Sequence, residues 1–213
     1  MNRIIRKVAV LGSGVMGSRI ACHFAGIGIE VLLLDIVPPT ASASSDARER
    51  NKIVNDSLQS AIKSNPSPLF HRGVVKRIIT GNFDDNLKDI AGCDWIIEVV
   101  IERLDIKAAL YEKVEQFRKP GTLITSNTSG IPIHLLAEGR SPDFQKHFCG
   151  THFFNPPRYL RLLEIIPTPD TDRSVVEFLM HYGDLYLGKT TVLCKDTPAF
   201  IANRVGVFSL MSL

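Results

Sequence analysis

Two short stretches of this 213-residue chain hold side chains suited to chemistry. One is His152-Phe153-Phe154-Asn155-Pro156, an imidazole at the head of two aromatic rings with a strand-stopping Asn-Pro behind them. A histidine in that setting is ordinarily a packed core residue. It becomes a proton acceptor only if the rest of the chain builds a site around it. The other stretch is Gly12-Ser13-Gly14-Val15-Met16-Gly17, the spacing G-x-G-x-x-G. Glycine triplets alone occur by chance in many loops, so the weight lies in the context. This one follows a strand, opens a helix, and precedes a second strand ending in Asp35, 18 residues past Gly17.

Each of those positions has a physical duty. Gly12 permits a tight turn, Gly14 lets the backbone approach a pyrophosphate, and Gly17 lets helix and strand pack closely. Backbone N–H groups at the helix start then hold the phosphates. A carboxylate at Asp35 accepts hydrogen bonds from ribose hydroxyls and repels a 2′-phosphate, so the pattern favours NAD over NADP.

The elements that must position these groups follow from hydrophobic pattern. Residues 7–11, 30–35, 77–80, 95–100 and 122–126 read as short strands, with helical spacing at 15–27, 46–63 and 105–117. The strands are apolar throughout, without polar alternation, as expected for a parallel sheet covered on both faces. The segment 37–46 is too polar and Pro-rich for anything but a loop. Further strands are expected at 148–154, 162–166 and 190–194, with a helix near 171–185. The expected fold is therefore α/β, a doubly wound, mostly parallel, Rossmann-like sheet with added strands after residue 147. Asp196-Thr197-Pro198 predicts a last helix with Thr197 as cap and Pro198 in its first turn. The apolar run that follows, to residue 213, needs a partner surface.

Composition excludes several classes. Apolar residues make up 45% and charged residues 22%, which is ordinary for a globular chain. A net charge of +3 with scattered basic residues argues against nucleic acid as the main partner. Cys22, Cys93, Cys149 and Cys194 form no C-x-x-C pair and read as free thiols in a reducing, cytoplasmic setting. Neither a signal peptide nor a membrane-length apolar run is visible, and no metal site is expected.

With the glycine loop in place, a wider set of motifs can be read together. GSGVMGS, IIEVVIERLDIK, SNTSG, HFFNPPRYLRLLEIIP and KDTPAFIANR, spread over nearly the whole chain, resemble the L-3-hydroxyacyl-CoA dehydrogenases of fatty-acid β-oxidation. The form also looks like the dehydrogenase part of longer chains that carry an enoyl-CoA hydratase unit. The resemblance implies His152 as catalytic base, Glu164 as the acid that orients it, and Ser129 and Asn203 as contacts to the substrate oxygens. For the cofactor it implies Met16, Glu102, Lys107, Ser129 and Asn155 beside Gly12, Gly14, Gly17 and Asp35. For coenzyme A it points to the helix carrying Ser57 and Lys63. The physical chemistry agrees: oxidising a secondary alcohol needs a base for the hydroxyl proton, and a hairpin brings strands 148–154 and 162–166 together.

Two residues depart from the family pattern. Arg19 and Ala199 stand where the family commonly has glycine. A third departure is length: the family continues as an all-helical domain that forms the dimer and closes the cleft. The expected division is therefore a dehydrogenase domain over 1–196, with 197–213 opening a helical domain that is largely missing. The expected function is NAD-dependent oxidation of 3-hydroxyacyl-CoA. Alternatives are a dehydrogenase of a free 3-hydroxy acid and an NAD-binding fragment inactive without its helical domain. His23, His71, His134, His147 and His181 read as ordinary packed or solvated residues.

Overall fold

Strand β1 (Lys7–Leu11) has no polar face. Val8 and Val10 enter one hydrophobic cluster and Ala9 and Leu11 another, all fully buried. That is the signature of a strand covered on both sides. Seven more strands join it: β2 (Glu30–Asp35), β3 (Ile78–Asn82), β4 (Trp95–Glu98), β5 (Leu123–Ser126), β6 (Phe148–Phe153), β7 (Leu162–Pro167) and β8 (Thr190–Leu193). In the computed structural model, which describes residues 3–212, they form one sheet in the order β3-β2-β1-β4-β5-β6-β7-β8. The first six positions run parallel, β7 is antiparallel to β6, and β8 is parallel to β7. Strand order reverses at β1, which opens a crevice at the carboxyl ends of β1 and β4.

The helices are α1 (Val15–Gly26), α2 (Ala47–Arg50), α3 (Lys52–Lys63), α4 (Phe83–Asn86), α5 (Leu104–Phe117), α6 (Ile133–Ala137), α7 (Pro142–Lys146), α8 (Arg173–Leu185) and α9 (Ala202–Met211). One face of the sheet is covered through Ile20 and Phe24 of α1, Val54 and Leu58 of α3, and Val175 and Leu179 of α8. Leu110 and Val114 of α5 cover the other. Trp95 centres the first layer. Its ring meets Phe24 edge-on at 5.3 Å, and its indole N–H donates to Thr125 Oγ1 at 3.0 Å. No helix among the described residues is long and apolar enough to cross a membrane.

Two expected helices come out differently. The span 46–63 is broken at Asn51, where α2 ends and α3 begins. Asp46 caps the short α2, and Arg50 is drawn sideways to Asp85 at 2.7 Å, so the two pieces answer to different partners. The last helix starts at Ala202, not around Pro198. Asp196 is spent elsewhere: its carboxylate accepts the N–H groups of Ile133 and His134 at the start of α6, at 2.8 and 2.9 Å. Ala199 and Phe200 then take φ values of 63° and 51°. That turn drives the Phe200 ring into the cluster of Phe144, Phe148 and Ile166. A buried aromatic outweighs the local helix-start signal.

The left-handed turn explains why glycine suits position 199 in the wider family. Ala199→Gly should leave stability unchanged or raise it by up to about 1 kcal/mol, because relief of left-handed strain offsets the added freedom of the unfolded chain. Ala199→Val should lower it, since a β-branched residue tolerates that conformation worst. Urea unfolding midpoints of the two variants read the contrast.

Candidate active site

The glycine loop joins β1 to α1 at the crevice. Gly12 has φ 107°, and a Cβ there would lie 2.6 Å from the Val99 carbonyl oxygen; at Gly17 a Cβ would strike Gly12 O at 1.8 Å. Those two glycines are required by the fold. Gly14 is different: a Cβ there would meet nothing within 4 Å. Its lack of a side chain answers to something that approaches from outside the protein. The first N–H bonded within α1 is that of Ser18, to Gly14 O at 3.1 Å, so the preceding amides face the crevice.

Beside the loop lies a cleft of about 900 Å³. Asp35 and Ile36 bound it at the end of β2, Phe83 lies next to them, and Val100, Ile106 and Leu110 line it further along. Asp35 is held by Ser13, whose N–H and hydroxyl donate to Oδ2 at 2.6 and 2.5 Å, while Ile36 N–H donates to Oδ1 at 2.7 Å. Those bonds fix the carboxylate and leave acceptor capacity toward the cleft. An apolar slot ending in a fixed acid, with a bare Gly14 and open helix amides at its side, fits an adenosine diphosphate group well.

A buried carboxylate supports the next loop. Glu98, at the end of β4, is fully buried. Its Oε1 accepts from Lys107 Nζ at 2.6 Å and Val100 N–H at 2.7 Å; its Oε2 accepts from Tyr111 at 2.9 Å and Ser126 at 2.6 Å. Burial, and then the Glu98 charge, hold the Tyr111 phenol well above its usual pKa. Lys107 also reaches Glu102 at 3.3 Å. Glu102 in turn accepts from the Thr128 hydroxyl and from the N–H groups of Ser129 and Gly130 at 2.9 and 3.0 Å. Burial opposes its ionisation, but the Thr128 bond, the Lys107 charge and the bonds from Ser129 and Gly130 outweigh that and hold its pKa below the usual carboxylate value.

Ser129 is thereby aimed. Its hydroxyl lies 3.1 Å from His152 Nε2, and the other ring nitrogen, Nδ1, lies 2.7 Å from Glu164 Oε2. The pairing follows from register: His152 stands directly opposite Glu164 in the antiparallel β6–β7 ladder. Glu164 is fully buried and His152 is 4% exposed, flanked by the rings of Phe154 and Phe200 at 4.4 and 5.8 Å. The second oxygen of Glu164 accepts the N–H groups of Ile201 and Ala202 at 3.0 and 2.8 Å, at the start of α9. Asn203, in the first turn of α9, points its amide at Ser129 O, 3.5 Å away. His152 is thus packed among aromatics and also built into a polar constellation, so the two readings of its motif coexist.

Residues 7–197 match the family described as 3-hydroxyacyl-CoA dehydrogenase, NAD binding domain. The chain belongs to that family. Among curated relatives, a probable 3-hydroxyacyl-CoA dehydrogenase of Bacillus subtilis is 48% identical over 99% of this chain and 28% of its own length. One of the same description from Deinococcus radiodurans is 47% identical over 97% of this chain and 58% of its own. The chain therefore spans well under two thirds of both. The crystal structure of 3-hydroxybutyryl-CoA dehydrogenase from Escherichia coli superposes with a TM-score of 0.74 at 33% identity, covering 95% of this chain and 41% of that one.

Gly12, Gly14, Met16 and Asp35 thus border one cleft of this NAD-binding domain. Asn155 lies outside it, beside Arg19. Glu102 and Lys107, expected at the cofactor, are engaged in the structure with the 128–130 loop and with Glu98. Lys107 is 1% exposed, so it supports the site from behind. Ser57 lines a cavity between α1 and α3, and Lys63, six residues further along α3, is exposed. Sequence reasoning missed Glu98, Tyr111 and Ser126. The available signal was a glutamate closing an otherwise apolar strand, with a lysine nine residues on in the next helix.

Removing one partner of a buried ion pair leaves the other charge uncompensated. Glu98→Ala should lower stability by about 3–5 kcal/mol, whereas the double replacement Glu98→Gln with Lys107→Met should recover much of that loss. Equilibrium unfolding in urea distinguishes the two.

Proposed function

We propose that this chain carries out NAD-dependent oxidation of (S)-3-hydroxyacyl-CoA to 3-oxoacyl-CoA, the dehydrogenation step of fatty-acid β-oxidation. The observation that carries the reading is the line Glu164–His152–Ser129, with contacts of 2.7 and 3.1 Å, ending on the loop that also approaches Asn203. The Bacillus and Deinococcus relatives, described as probable 3-hydroxyacyl-CoA dehydrogenases, and the Escherichia 3-hydroxybutyryl-CoA dehydrogenase support the same substrate class.

In this reading Glu164 keeps a proton on Nδ1 of His152, so the lone pair of Nε2 is available. His152 Nε2 takes the substrate hydroxyl proton while the carbon that bears the hydroxyl loses hydride. When bound, NAD supplies the hydride acceptor. Glu164 offsets the imidazolium charge that forms, as the acid does in a hydrolase triad. The Ser129 hydroxyl and the Asn203 amide donate to the ketone and thioester oxygens as charge develops on them. Asp35 selects the ribose of NAD, and Gly12, Gly14, Met16 and Gly17 shape the diphosphate site. Glu102 and Lys107 hold Ser129 in place, and Asn155 borders the nicotinamide end. α9 is the proposed opening of the helical domain that walls the acyl cleft, because Phe208, Leu210 and Met211 are 73–83% exposed along it.

Two experiments test this. Nicotinamide fluorescence titration should show NADH bound in clear preference to NADPH, and Asp35→Ala should weaken NADH more than NADPH; equal affinities in the unaltered protein would remove Asp35 from the ribose. In the full-length chain, His152→Ala should cut kcat by on the order of 10²–10⁴-fold with NADH affinity nearly unchanged. Glu164→Gln should also be severely impaired. Near-normal kcat in His152→Ala would return the imidazole to a purely packing role.

A further inference from the structure

Ser129 and Asn203, the two side chains proposed to meet the substrate oxygens, lie on segments far apart in sequence. Each segment is anchored on one flank by a carboxylate, the Ser129 loop by Glu102 and α9 by Glu164. Between the two, the Asn203 amide approaches the Ser129 carbonyl oxygen across 3.5 Å, which is a weak link. A stronger link lies on the other flank of both. Ile133 opens α6 four residues beyond Ser129, and Asp196 stands seven residues before Asn203. Asp196 Oδ1 accepts the Ile133 N–H at 2.8 Å, and Oδ2 accepts the His134 N–H at 2.9 Å, with the His134 ring Nδ1 2.6 Å away. The Asp196 side chain is largely buried, whereas the His134 ring is half exposed. Ile133 and Phe200, one from each segment, share an apolar cluster, and the Phe200 ring centre lies 5.8 Å from that of His152.

A carboxylate suits this clasp and an amide does not. The two backbone N–H groups donate to separate oxygens, and asparagine would turn its own NH₂ toward one of them. Bonds to an ionised acceptor are also shorter and stronger than neutral ones. Spacing matters here because the substrate carbon must face base, oxygen contacts and hydride acceptor together, and a small misplacement of one contact slows the step steeply. We infer that Asp196 is a positioning residue for the reaction: its clasp on the first two amides of α6 sets the spacing between Ser129 and Asn203. The inference rests on the acyl-CoA reading above. It adds to that site a carboxylate that touches neither substrate nor cofactor.

The test uses the full-length chain and reads single-turnover NADH formation from (S)-3-hydroxybutyryl-CoA, NADH affinity and the urea midpoint. Asp94 is the matched control. Its Oδ2 also accepts two backbone N–H groups, those of Arg6 and Lys7 at 2.8 and 3.0 Å, but it precedes β4, at the end of the strand away from the site. Asp196→Asn and Asp94→Asn should both lose stability. Hydride transfer should slow in Asp196→Asn alone, by on the order of 10-fold, with NADH affinity within about twofold of the unaltered chain. Asp196→Ser, whose hydroxyl still accepts one N–H as a cap does, should fall between; it carries the comparison if Asp196→Asn does not fold. His134→Gln keeps both backbone bonds and should transfer hydride within about twofold of the unaltered rate. Equal hydride-transfer rates in the Asp196 variants and Asp94→Asn would leave Asp196 a purely structural residue and overturn the inference. A loss in His134→Gln as large as that in Asp196→Asn would assign the effect to the ring and overturn it too. An unaltered chain that forms no NADH from this substrate, while binding NADH normally, would overturn the acyl-CoA reading and the inference with it.

Discussion

The carboxylate of Glu164 is the interaction on which the rest of the structure depends. It is fully buried in the middle of β7, where an unpaired charge would be costly. Three bonds answer that cost: one to the imidazole of His152 and two to the backbone N–H groups that open α9. One group therefore fixes the orientation of the histidine and the point at which the last helix leaves the sheet. The antiparallel turn from β6 to β7 is what makes this possible, because it sets residues 152 and 164 opposite each other on one face. A parallel continuation would have placed a long crossover between them.

A second buried carboxylate, Glu98, performs the corresponding task on the other side of the site. It gathers Lys107, Tyr111 and Ser126 beneath the loop that carries Ser129, and Lys107 passes the constraint to Glu102 and so to the backbone of residues 129–130. Ser129 stands between the two carboxylate systems, held from below by Glu102 and facing His152 across 3.1 Å. The polar groups of the site are thus set by buried carboxylates on two strands, Glu98 at the end of β4 and Glu164 within β7. The cleft beside Asp35 is adjacent because β1, β4, β5 and β6 run parallel and end at the same edge of the sheet.

Much of this was legible in the sequence, for identifiable reasons. Strands such as Val8–Leu11 and Val31–Leu34 are apolar on both faces, which only a covered parallel sheet requires, and the glycine spacing then locates the crevice. Gly12 and Gly17 are dictated by local sterics, so they are readable wherever that turn occurs. What was not legible depends on distant partners. Asp196-Thr197-Pro198 has the local form of a helix start, but the Asp196 carboxylate is claimed by α6 and the Phe200 ring by the core, which delays α9 to Ala202. Glu98 shows nothing locally of the four groups that converge on it.

With its Oε2 2.7 Å from Nδ1 of His152, Glu164 is proposed to keep the ring proton there and leave Nε2 as the acceptor. Nitrogen-15 NMR of the histidine ring, recorded at a pH where the imidazole is neutral, reads this directly. The expected result is a protonated Nδ1 and a bare Nε2 for His152, with Glu164→Gln losing that preference. A neutral ring with its proton on Nε2 in the unaltered protein would contradict it, because the nitrogen facing Ser129 would then have no lone pair to offer.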